Sequence, residues 1–258
     1  MPEIVLHKIS RYPIKGLSEE VLESVELAPG RGLPFDRQFA LALPDTPFDP
    51  ENPAPLPKFK FAVLMKFANL ARLVTAFDTT TGMFRAAHGN LSVTAPLNTV
   101  PGRSEVERFF SDFMKDELTG NLRIVAAPGH RFTDVSVVSP EMMEAVSLIN
   151  LASVRALAEK TGTVIDPRRF RANFLVDGLP PWAEFDLIDK TVSIGDVSFK
   201  AVKRTKRCAA TEVNPETAER DIRLPLELMK NFGHGDLGIY LTVQSAGVVR
   251  TSDRLLLR

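Results

Sequence analysis

Lys203-Arg204-Thr205-Lys206-Arg207-Cys208-Ala209-Ala210-Thr211-Glu212-Val213-Asn214-Pro215 is the stretch around which this 258-residue chain is organised. It holds the single cysteine, with four cations in the five positions before it. Upstream, Val197-Ser198-Phe199-Lys200-Ala201-Val202 alternates apolar and polar, the two-residue period of a half-buried strand. Downstream, Asn214-Pro215 signals a turn. The sulfur is therefore expected where a strand gives way to a loop, among positive charges. Such surroundings stabilise the thiolate, the form that acts as nucleophile and as metal ligand. Taken alone, the same residues also suit a small buried hydrophobe beside a solvated basic face.

Composition narrows the class. The length fits one large domain or two intimate ones, and 44% hydrophobic residues allow a sizeable core. Thirty-two cations balance 32 anions, so nothing drives the whole molecule toward nucleic acid or an anionic membrane, and an anion site must come from local clustering. One cysteine excludes an intramolecular disulfide and a Cys-ligated iron–sulfur cluster, and suits a reducing, cytoplasmic setting. Met1-Pro2-Glu3-Ile4 has neither the basic nor the apolar region of a signal peptide. Residues 59–71 are too short and too charged to span a bilayer.

Along the chain, short strands are expected at 4–9, 21–27 and 38–43, separated by turn residues. Residues 44–57 carry six of the nineteen prolines and predict a surface loop. Phe59, Val63 and Phe67 lie at helical spacing and predict a helix over 59–71. Strands at 73–77, 83–87 and 91–95 predict a meander. Ser104 with Glu107 has the capping-box pattern for a helix to about Lys115, with Val106, Phe109, Phe110 and Phe113 buried. Further strands are expected at 122–126, 132–138, 174–176, 191–194, 239–244 and 254–257. Short helices are expected from Pro140, over 151–160 and over 224–232. Asn150 is the expected N-cap of the second of these, and Gly162 its stop. The N-terminus of that helix offers free amides to an anion. The whole predicts a β-rich α+β fold.

Arg168, Arg169 and Arg171, before the strand at 174–176, form a second cation cluster beside the Lys203–Arg207 run. Brought together, the two would line a concave anion site. Gly233-His234-Gly235-Asp236-Leu237-Gly238 matches G-x-G-x-x-G, but a helix precedes it and a strand follows, the reverse of the dinucleotide fingerprint. It predicts instead a turn where backbone approaches backbone. The four histidines have no metal-ligand spacing, and the basic run lacks the interleaved aromatics of a nucleic-acid strip.

Several of these residues, in this order, resemble the MOSC family. Arg207-Cys208 with Thr211, Val213, Asn214-Pro215 and Thr217 is similar to its cysteine motif, and Arg171-Ala172-Asn173 to its R-P-N segment. Tyr12-Pro13-Ile14-Lys15-Gly16 and Asp36-Arg37 resemble its N-terminal companion domain, and residues 233–240 its late glycine-rich segment. The family includes amidoxime-reducing components and the C-terminal domain of molybdenum cofactor sulfurase. Two departures stand out: Gly16 replaces a common serine, and Ala172 the usual proline.

The resemblance implies an N-terminal β-barrel-like domain over residues 1–120 packed on a MOSC β-barrel over 121–258. It implies a pyranopterin molybdenum cofactor with Cys208 as metal ligand and catalytic centre. Thiolate is a soft ligand suited to such a metal. Lys15, Arg37, Arg171 and Arg207 would face the cofactor's phosphate, with Asn150, Ser153 and Asn173 as hydrogen-bonding groups. The implied activity is reduction of N-hydroxylated small molecules, with electrons from a separate donor protein, since no ferredoxin-like domain follows. Asp236 and Glu212 are acid–base candidates by sequence proximity alone. The family also carries a pyridoxal phosphate association. Two alternatives stay open: sulfur transfer through a Cys208 persulfide, and a carrier that binds the cofactor without chemistry.

Overall fold

The computed structural model describes residues 3–257. In chain order its first strands are β1 Val5–Arg11, β2 Glu20–Leu22, β3 Ser24–Leu27, β4 Ala40–Ala42, β5 Val74–Asp78, β6 Met83–His88, β7 Leu91–Pro96 and β8 Arg123–Val125. Then come β9 Val146–Asn150, β10 Phe174–Asp177, β11 Thr191–Ile194, β12 Val197–Lys206, β13 Asp236–Val243, β14 Gly247–Arg250 and β15 Leu255–Leu257. The α-helices are α1 Val100–Phe113, α2 Pro140–Met143, α3 Leu151–Thr161 and α4 Leu224–Phe232.

Eight strands share the main sheet, in the order β15-β11-β12-β13-β9-β10-β1-β2. The sheet closes on itself. Val5 bridges Arg254, with Leu6 N–H donating to the Asp253 carbonyl and Leu255 N–H to that of Ile4. The N-terminal half of β1 thus meets the chain entering β15, while its C-terminal half pairs with β2. Closure removes the strand edges that would otherwise template aggregation. The alternating apolar positions point inward: Phe199 and Ala201 of β12, Ile239 and Leu241 of β13, Phe174 and Val176 of β10 are fully buried together. Each of these side chains except Ala201 contributes roughly 1.5–3 kcal/mol through the water it sheds.

The remaining strands form smaller sheets. β4 pairs with β8, and β5-β6-β7 is the expected meander, covered by α1 through Val106, Phe109 and Phe110. β3 pairs with β14. Strand pairing joins the first 27 residues to the C-terminal half, since β1 and β2 sit in the barrel sheet and β3 on β14. We propose a domain division near residue 120. No helix among the described residues is long and apolar enough to cross a membrane.

Four expectations change. Residues 59–71 form no α-helix: two 3-10 turns, Lys58–Lys60 and Ala68–Arg72, flank a segment in which Phe61 bridges Ala42 and residues 64–66 make a tight turn. Here tertiary pairing overrides helical spacing. α1 begins four residues before Ser104: Thr99 is the N-cap, its hydroxyl accepting from Gly102 N–H at 3.2 Å, and Pro101 sits in the first turn. The stretch expected as one strand over 21–27 breaks at Glu23 into β2 and β3, which belong to different sheets. Residues 132–138 are turns rather than strand, with Val137 and Val138 exposed.

Candidate cofactor site

β12 carries the cations to the site. Its pairing with β13 slips between Ala201 and Lys203 and again between Arg204 and Lys206. A regular strand would send neighbouring side chains to opposite faces. The two irregularities re-aim them, so Lys203, Arg204 and Lys206 are all exposed while Thr205 is buried. These residues border a cavity of about 410 Å³. Cys208 lies in its wall, half-buried, as the residue that opens a 3-10 turn over Ala209–Glu212. The Thr211 N–H and hydroxyl both donate to the Cys208 carbonyl, at 3.0 and 2.9 Å, and fix the start of that turn.

The N-terminal half supplies the facing wall. Lys15 is buried, donating to the Phe132 carbonyl at 2.9 Å and pairing with Asp134. Burial pushes the Lys15 ammonium down, with Asp134 offsetting part of that. Lys58 pairs with Asp134 at 3.2 Å. Burial opposes its charge, but Asp134 and Cys208 outweigh it and raise the Lys58 pKa. Burial likewise disfavours the Asp134 carboxylate, yet the two lysines hold it far below the usual carboxylate range. A lysine–aspartate–lysine group therefore stands beside the sulfur.

A second group surrounds Tyr12. The guanidiniums of Arg37 and Arg171 lie 4.5 and 4.3 Å from its ring centroid. Arg37 pairs with Asp36 at 2.5 Å and donates to the Arg171 carbonyl at 2.7 Å. Arg171 takes a left-handed backbone, φ 52°. Burial pushes its guanidinium down to about 10, partly countered by Tyr12. Its Nη2 is buried without a hydrogen-bond partner. Leaving such a donor unmet costs about 1–3 kcal/mol, more for a charged group. A bound anion in the cavity that Arg171 lines would offset that.

The other candidates divide. Asn173 borders the cavity, but its side chain is engaged by the fold: Oδ1 accepts from the Ser147 N–H and hydroxyl, and Nδ2 donates to the Ser10 carbonyl. Arg207 also borders it, yet donates to the carbonyls of Leu237 and Phe170 and is pushed down to about 10 by burial. Asn150 and Ser153 are not brought to the cavity. Asn150 caps α3 through Ala152 N–H and donates to Pro180 and Glu184. Ser153 donates to Glu184 at 2.7 Å and accepts from Trp182 N–H. Neither Asp236 nor Glu212 borders the cavity. Sequence reasoning missed Lys58 and Asp134. Lys58 closes the proline-rich loop, and Asp134 lies in the stretch over 132–138 that predicts a strand; neither carries a pattern of its own.

Gly16 explains one departure. Its φ is +87°, and a Cβ there would lie 2.8 Å from the Ala62 carbonyl oxygen. This backbone accepts no serine without shifting. Gly238, φ +80°, is the close approach expected of the glycine-rich turn: a Cβ would lie 2.4 Å from the Leu148 oxygen.

A larger cleft, about 960 Å³, lies between Arg31, Phe39, His130 and Arg131. Its Arg131 and Glu144 already pair at 2.6 Å, and it holds no cysteine. The smaller cavity, by contrast, has the thiol and the unmet guanidinium donor. Among the described residues no three His, Cys, Asp or Glu side chains cluster as metal ligands, so a metal at Cys208 has to bring further ligands of its own.

The fold and cavity define a β-barrel protein with one thiol in a cation-walled site. The sequence profile of the MOSC domain matches residues 127–256, half of the chain, and the chain belongs to that family. It is 26% identical over 171 residues to mitochondrial amidoxime reducing component 2 of Rattus norvegicus, covering 58% of this chain and 50% of the relative. It is 38% identical over 98 residues to molybdenum cofactor sulfurase of Caenorhabditis briggsae, covering 36% and 14%. The chain thus spans half or less of the length of these relatives. Among solved structures, the YUAD protein of Bacillus subtilis matches over 99% of this chain and 97% of its own, at 13% identity and a TM-score of 0.44.

Proposed function

We propose that this protein binds a pyranopterin molybdenum cofactor in the Cys208 cavity and reduces small N-hydroxylated compounds. The observation that carries the reading is the pairing, in one cavity, of a single thiol with a buried guanidinium donor that has no partner. The cavity of about 410 Å³ suits a small-molecule ligand, since such sites run roughly 300–1,000 Å³. A lone thiol fits a metal that arrives with its own dithiolene sulfurs. Cys208 would hold the metal. Arg171, Arg37 and Lys15 would face the phosphate, arginine through its planar fork. Arg207 and Asn173 would shape the wall from which those groups project. Bound there, the cofactor would supply two-electron oxygen-atom chemistry, and the protein's part is binding, orientation and charge.

The electrons would come from a separate donor protein. Lys203, Arg204 and Lys206 at the rim are in no salt bridge among the described residues and would favour an acidic one. We also place the protein in the cytoplasm, where a lone thiol stays reduced. Names of relatives support the cofactor class, with amidoxime-reducing and cofactor-sulfurating proteins on either side.

Elemental analysis of protein made in a cofactor-competent host tests the reading. Molybdenum near one per chain is expected, falling to background in Cys208→Ser. Metal-free wild-type protein from that host would sink it. A second reading, sulfur transfer through a Cys208 persulfide, is favoured by the Lys58 ammonium beside the sulfur, which would steady a persulfide anion. An added mass of about one sulfur atom on Cys208, without molybdenum, would select it. Tight pterin binding without turnover would select a carrier.

A further inference from the structure

Arg220 lies twelve residues beyond the cysteine, in the loop before α4. Its guanidinium joins two distant segments. Nη1 donates to the Ala209 carbonyl at 2.8 Å, and Nη2 to those of Leu64 at 2.9 Å and Met65 at 2.8 Å. Ala209 directly follows Cys208. Leu64 is itself a wall of the cavity. Isolated pairing between Val213 and Arg220 folds the loop back, so the guanidinium reaches the turn that carries the sulfur. Arg169 steadies the loop elsewhere, donating to the Glu212 carbonyl at 3.0 Å and pairing with Asp221 at 2.7 Å.

We propose that Arg220 is a positioning residue: its planar fork clamps the Cys208 turn to Leu64–Met65 and so sets the opening of the cavity at the sulfur. No hydrogen bond or salt bridge recorded among the described residues joins Ala209 to Leu64 or Met65 in any other way. Lysine has a single nitrogen on a flexible stem and cannot hold three carbonyls in that fixed geometry. The role holds whether the thiol serves a metal or a persulfide, because it concerns the position of the sulfur and not its partner.

The single cysteine makes the test specific, since thiol labelling of the full chain reads Cys208 alone. Alkylation by iodoacetamide is measured on metal-free protein, beside the thermal transition. Arg220→Ala is expected to raise the labelling rate about tenfold, as a local opening of the loop rather than global unfolding. Arg220→Lys should fall between wild type and Arg220→Ala. Millimolar guanidinium, small enough to enter the vacated space, should return Arg220→Ala toward the wild-type rate, whereas urea at the same concentration should not. The proposal is overturned if both variants label within twofold of wild type (a change too small to mark loop opening). It is equally overturned if faster labelling tracks a lowered melting temperature and guanidinium does not reverse it. Molybdenum content plays no part in this readout, so the cofactor reading can fail while the clamp stands.

Discussion

At Gly16 a residue choice follows from backbone alone. With φ at +87° and the Ala62 oxygen 2.8 Å from any Cβ, Gly16→Ser is expected to lose about 1–3 kcal/mol in denaturant unfolding. Gaining a hydroxyl at the cavity would not compensate. Glu184 offers a second test. Its carboxyl is fully buried and accepts from Ser153 and Asn150 through Oε2, while Oε1 has no partner. Burial pushes its pKa up, against those hydrogen bonds. A raised carboxyl binds its proton more readily in the folded state. Its contribution is therefore whole below the unfolded value and is lost as pH rises through the folded one. Glu184→Gln keeps an acceptor for both donors and carries no charge. Its melting temperature should gain on wild type as pH rises from the ordinary carboxylate range toward neutrality. A pH-independent difference would refute the assignment. Asp134 shows the opposite case: its pairs stabilise above the usual carboxylate range. The Asp134 side chain is 45% exposed, but its partner Lys15 is buried, so Asp134→Asn is expected to cost about 1–3 kcal/mol, because it leaves that ammonium with a weaker partner.

Among the elements, α1 shows how a local signal can be displaced. The Ser104–Glu107 pattern is present, but Pro101 and Thr99 start the helix earlier. Glu107 instead accepts from the Ile124 N–H at 2.8 Å and ties the helix to β8. Thr99→Ala should therefore cost about 1 kcal/mol by urea titration and Ser104→Ala within about 0.5 kcal/mol. The reverse ranking would restore the capping box. Val106, Phe109 and Phe110 of the expected buried stripe were legible because its period is intrinsic to the helix, whereas Phe113, also expected there, is only half-buried. So were the meander and the N-cap at Asn150. The segment 59–71 was not. Its helical spacing is an accident of sequence that pairing with Ala42 overrides. In β12, alternation revealed the strand, but its two slips, which gather Lys203, Arg204 and Lys206 at one rim, depend on the register against β13.

For the whole molecule, barrel closure carries the main consequence. Residues 251–257 bring β15 to the edge of β11 and the Asp253–Leu255 backbone to β1. A chain ending at residue 250 would leave both edges open and take the buried Leu255 out of the barrel core. It should lose its cooperative thermal transition in circular dichroism and aggregate. An unchanged transition would show that closure contributes little. The same closure brings Val5 to Arg254, close to the two ends of the described residues.

By itself, the sequence determined that this is a β-rich α+β protein with one sulfur among cations, and pointed through its ordered motifs to the MOSC family. Those properties are local: periodicity, turn chemistry and residue type are written along the chain. Only the tertiary structure decided which cations meet the sulfur. It brought Lys58 and Asp134 in, kept Arg171 with an unmet donor, engaged Asn173 and Arg207 within the fold, and left Asn150 and Ser153 outside. The physical reason is that hydrogen-bond capacity and burial are settled between segments 26 to 163 residues apart, and no spacing along the chain encodes that pairing.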